Sequence, residues 1–111
     1  MNKLWTIICF CIPNIIFSQL SYYQDIAPIM ERHCTHCHQN NEVGPMSLTT
    51  YEEVASYASM IKFVTKSGYM PPFKANHTRV SYKNERSISD KDISIISEWI
   101  ETGLLEGEKP T

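Results

Sequence analysis

Apolar residues recur along this chain in three helical registers, preceded by one mostly apolar block. Tyr22, Ile26, Ile29, Met30 and His33 fall at the three- and four-residue spacing of a single helix face, which predicts a helix over residues 23–33 with Pro28 in its tolerant first turn. A second register, Val54, Tyr57, Ala58, Ile61 and Val64, predicts a helix that starts at Thr50 and stops at Gly68. Thr50 and Glu53 have the spacing of a capping box. The third start is the clearest, because Ser89 can cap the amide of Asp92 while Ile88 and Ile93 flank it as a hydrophobic staple. Ile93, Ile96 and Ile100 then form a stripe widened by Trp99, and Gly103 ends it. No pair of alternating strands is legible, so the expected fold class is all-α, with long loops at residues 38–49 and 68–88.

The opening block reads differently. Lys3 gives a positive start, Leu4 to Phe17 is a mostly apolar run of 14 positions interrupted by Pro13 and Asn14, and Ser18 is a small residue before a cleavage point. That run is shorter than the roughly 20 residues a bilayer-spanning helix needs. The expected organisation is therefore a signal peptide at 1–18 and one domain at 19–111, with a membrane tether as the alternative if the leader stays uncleaved. The site of action is then periplasmic or otherwise exported.

Composition adds two limits. Ten basic and 12 acidic residues give a net charge of −2, with no basic run or aromatic-basic interleaving, so no nucleic-acid partner is expected. Removing the leader takes Lys3, leaving nine basic residues against 12 acidic ones, a net of −3. It also removes Cys9 and Cys11, so that Cys34 and Cys37 are the remaining thiols. A disulfide across so short a loop would stabilise little.

The mature chain of about 93 residues has little core to offset loops of this length. A large bound apolar group at the centre would resolve that. The chemistry for one stands at Cys34-Thr35-His36-Cys37-His38, which matches Cys-x-x-Cys-His, the attachment signature of a c-type haem. Each thiol adds to one vinyl group on the same side of the porphyrin, and the adjacent histidine places its imidazole at the iron. Zinc would need a second ligand pair from elsewhere in the chain, where only His77 is distant from the motif. A thioredoxin-like redox site would need a strand before the motif and a βαβ setting, and neither is visible.

With these residues in hand, the run from Tyr23 to Gly107 resembles the small monohaem c-type cytochrome domains of bacterial exported proteins, the kind also found ahead of copper-dependent monooxygenase or redoxin domains. The landmarks are the motif at 34–38, Gly-Pro-Met-Ser-Leu at 44–48, Met-Pro-Pro-Phe at 70–73, Asn-Glu-Arg at 84–86 and Trp-Ile-Glu-Thr-Gly at 99–103. Phe73 stands where tryptophan is the commoner aromatic. The resemblance implies a cytochrome c-like fold of about three helices wrapped around one covalent haem c. It also implies His/Met ligation, and a carbonyl of Pro45 accepting the Nδ1 proton of His38.

The sixth iron ligand is to be sought among Met30, Met46, Met60, Met70 and His77. Met30 and Met60 lie within helices, where methionine commonly fills core. Met46 is expected on the His38 side. Met70 follows a helix stop and precedes Pro71-Pro72, which restrict the backbone around it; it is also the family's ligand position. The expected site is thus Cys34, Cys37 and Pro45 for the cofactor, with His38 and Met70 on the metal. His33 and His36 are expected at the surface or the haem edge. Lys74, Arg79 and Arg86 are candidates for pairing with propionates. The expected function is electron transfer with redox partner proteins and no catalysis. The alternatives are a haem domain of a larger redox enzyme and an open-site haem sensor.

Overall fold

The computed structural model describes Pro13 and residues 18–72 and 87–111. The leader apart from Pro13 and Ser18, together with Phe73, Lys74, His77, Arg79 and residues 84–86, lies outside the described residues. Among those described the architecture is all-α: a π-helical turn at Tyr22–Ile26, then α1 Ala27–His33, α2 Tyr51–Ser56, α3 Ala58–Lys66 and α4 Asp90–Glu101. No described helix is long and apolar enough to cross a membrane.

Two helices depart from their expected shape for local reasons. The first opens with a wide turn, in which the amide of Ala27 reaches back five residues to the carbonyl of Tyr22. Pro28 has no N–H to donate and its ring needs room against the preceding turn, which the wider π-turn supplies. The second splits at Tyr57, whose backbone leaves helical geometry at φ −103° and ψ 13°. Ser56 Oγ donates to the carbonyl of Glu53 at 2.7 Å, occupying the acceptor that the Tyr57 amide would use. That amide turns instead to Val54, at 3.2 Å, and the helix resumes when the amide of Ile61 reaches Tyr57.

The predicted caps form. The Thr50 hydroxyl accepts the Glu53 amide while the Glu53 carboxylate accepts the Thr50 amide. Ser89 Oγ accepts the amide of Asp92 at 3.1 Å. Gly103 takes a positive φ of 109° where α4 ends.

Ile26, Ile29, Met30, Leu48, Val54, Ile61, Ile96 and Trp99 make one continuous core, joined by Tyr22. Trp99 is fully buried. Its indole N–H donates to the carbonyl of Leu105 at 2.9 Å, and its ring lies 6.0 Å from that of Tyr22 and 6.5 Å from that of Tyr51. Tyr51 in turn donates its hydroxyl to the carbonyl of Leu104. The segment after α4 is therefore strapped across the aromatic cluster, and the amide of Tyr22 donates to Leu105 to close the strap. This packing fixes the π-turn that leads into α1 against α4. Met30 and His33 of α1 share a cavity with residues of α3.

Candidate functional site

Helix α1 delivers the motif to that cavity. The amides of Cys34 and Thr35 both close on the carbonyl of Met30, at 2.8 and 2.9 Å. The next turn is tighter, with the amides of Cys37 and His38 both bonded to the carbonyl of Cys34, at 3.2 and 3.0 Å. One turn of chain thereby brings Cys34, Cys37 and His38 to the same cavity wall. No disulfide joins the two thiols. Burial, with a smaller contribution from neighbouring Cys37, pushes the Cys34 thiol up to about 11, so it stays protonated in this apolar setting.

The loop after the motif folds back over His38. The Gly44 amide donates to Cys37 at 2.7 Å, and the Leu48 amide donates to His38 at 2.8 Å. A Cβ on Gly44 would stand 2.5 Å from the Cys37 carbonyl oxygen and 2.6 Å from His38 Nδ1, so the loop closes only with glycine there. Between these two ties the Met46 carbonyl oxygen reaches 3.1 Å from His38 Nδ1. An oxygen of this kind can only accept, so Nδ1 carries a proton, and the neutral ring in this tautomer has its lone pair on Nε2. The sequence expectation gave this acceptor role to Pro45. The carbonyl that faces the ring is that of Met46, one residue further on, because the ties at Gly44 and Leu48 centre the loop over the imidazole there. Pro45 is an exposed residue of the cavity wall.

The cavity holds about 390 Å³. Its second wall is one face of α3, where Tyr57, Met60, Ile61, Val64 and Thr65 follow helical spacing, continued by Met70, Pro71 and Pro72. Met70 is half-buried, and its amide donates to the Val64 carbonyl at 3.0 Å, which pins it just past the end of α3. Pro71 behind it is buried. Four large apolar side chains stand exposed around this same cavity: Val43 at 85%, Tyr69 at 72%, Met60 at 55% and Tyr57 at 38%. Apolar surface gathered at one mouth marks a place built to be covered.

All four methionines among the described residues line this cavity. Met60, expected as core filler, sits instead at the mouth; it falls on the same helical register as Tyr57, Ile61 and Val64, a periodicity that could have placed it. His33 also lines the cavity, with Nε2 3.4 Å from Asp92 Oδ2, and Arg32 stands 3.7 Å from the other carboxylate oxygen. His36 is exposed. Trp99 packs α4 against the first helix and is not part of the cavity lining. Among the described residues no group of three or more His, Cys, Asp or Glu comes together to hold a metal ion.

Comparison of the chain with family models, with curated proteins and with solved structures finds no match.

Proposed function

We propose that this chain is a small exported monohaem c-type cytochrome whose function is electron transfer. The observation that carries this reading is the convergence of Cys34, Cys37, His38 and Met70 on one apolar cavity ringed by exposed apolar side chains. The residues suit a haem. Cys34 and Cys37 would hold it as thioethers, which are neutral and leave no charge on the apolar wall. His38 offers Nε2, with the Met46 carbonyl holding its tautomer and orientation. A porphyrin supplies most ligands to its iron, so the chain needs to provide only one or two.

When bound, the haem supplies one-electron chemistry between ferrous and ferric iron. Met70 would provide the sixth ligand, and a thioether opposite imidazole favours the ferrous state. Ile61, Val64 and Pro71 would exclude water from the iron's surroundings. The fold in this reading is cytochrome c-like. The leader at 1–18 would direct export to the periplasm or beyond, and electron donor and acceptor would be other redox proteins. The protein would act as a carrier and not as an enzyme.

The test is an optical redox titration of the exported protein. A reversible one-electron transition between low-spin ferric and ferrous haem supports the reading. A colourless protein, or a ferrous form that takes carbon monoxide without displacing a ligand, removes it in favour of no haem or of an open-site sensor.

A further inference from the structure

Three polar side chains are buried among the described residues, Ser21, Thr65 and Ser97, and Thr65 alone of these lines the cavity. It lies on α3, 3% exposed, and its Oγ donates to the Ile61 carbonyl at 2.8 Å, with the Lys62 carbonyl at 3.3 Å. A hydroxyl has one proton, and this bond uses it. What the oxygen has left to offer is lone-pair density. The residue is also adjacent to the turn that places Met70: its own carbonyl accepts the Gly68 amide, and the preceding carbonyl, that of Val64, accepts the Met70 amide.

We propose that Thr65 sets the reduction potential of the iron: its hydroxyl oxygen, pinned by Ile61 on a buried residue of the cavity wall, adds a fixed negative partial charge beside the cavity and favours ferric iron. This rests on the haem reading above. An apolar wall and a thioether ligand both disfavour the extra positive charge of the ferric state, and in a dry site a single oriented oxygen opposes them with little screening. The potential therefore sits below the value that the rest of the cavity would give.

The experiment is a spectroelectrochemical titration of the holoprotein and its T65V and T65S variants. Valine keeps the shape and removes the oxygen; serine keeps the oxygen and removes a methyl. T65V should shift the reduction equilibrium toward ferrous iron by about threefold or more, the scale of one buried polar interaction. T65S should stay close to the parent. A hydroxyl that served only the helix would lower the stability of T65V and leave its potential unmoved, which overturns the proposal, as does a T65S shift equal to that of T65V. Should T65V yield no holoprotein, T65A carries the same expectation and the same contrary result. A parent protein without covalent haem would defeat the functional reading itself, whereas a haem-loaded parent insensitive to T65V defeats this inference alone.

Discussion

His38 Nδ1 lies 3.1 Å from the backbone oxygen of Met46, and that contact selects the tautomer in which the neutral ring has its lone pair on Nε2. Everything that holds the Met46 carbonyl in place therefore bears on His38. The closest of these is Gly44, which has no space for a side chain between the Cys37 carbonyl and the imidazole.

Gly44→Ala should displace either the loop or the ring, since a carbon 2.5 Å from one atom and 2.6 Å from another cannot be absorbed by small adjustments. The expected outcome is a reduced yield of haem-loaded protein and an altered spectrum in what remains. Haem per chain, by absorbance against protein mass, checks it. A normal yield with an unchanged spectrum would show that the loop does not hold His38.

The strap after α4 is expected to matter for stability and not for ligation. Trp99→Phe removes the donor to Leu105 and leaves a void beside Tyr22 and Tyr51. The holoprotein should lose about 2–4 kcal/mol in denaturant unfolding, with its visible spectrum unaltered.

Much of this arrangement was legible in the sequence, and the parts that were not have physical reasons. The caps at Thr50 and Ser89 could be read because a side chain and an amide three residues apart need no tertiary information. The Cys-x-x-Cys-His run at 34–38 carries its own spacing. The break at Tyr57 was hidden, since it depends on whether Ser56 Oγ turns to the Glu53 carbonyl or to solvent. The choice of Met46 over Pro45 as the partner of His38 depends on how the loop is tied at both ends, which local pattern does not encode. Thr65 carries no signal in the sequence, because a threonine on a helix face usually means nothing more than a satisfied hydroxyl.

Acid should loosen the segment that follows the His38 loop. One Glu53 oxygen accepts the Thr49 amide at 2.8 Å, the hydroxyls of Ser47 and Thr49, and the Thr50 amide. These bonds, led by the Thr49 amide, hold its carboxyl below the ordinary 4.5 despite an opposing effect of burial. A depressed folded value contributes stability above the unfolded value, and that contribution disappears as pH falls from about 4.5 through the folded value. Unfolding of the parent and Glu53→Gln proteins should therefore differ most near neutral pH and converge in acid; a gap that is constant across this range would show that the carboxylate is not the source.

Met70→Ala should leave both covalent links and His38 in place, so haem content should persist. The potential should fall, because the thioether that favours ferrous iron is gone, and carbon monoxide should then bind readily. Met46→Ala is the control, since it removes a side chain while keeping the carbonyl that holds His38. A changed ligand spectrum in Met46→Ala with none in Met70→Ala would contradict the assignment. Unchanged spectra in both would turn attention to His77.

The most direct measurement is the intact mass of the protein produced in an export-competent host that matures c-type haem, read together with haem staining after denaturing electrophoresis. The expected result is a chain beginning at or near Gln19 plus the mass of one haem, with the stain retained, and loss of that normal adduct in Cys37→Ala. A parent chain that carries no haem through denaturation, or a Cys37→Ala chain with full haem content and parental spectrum, would contradict attachment at Cys34 and Cys37.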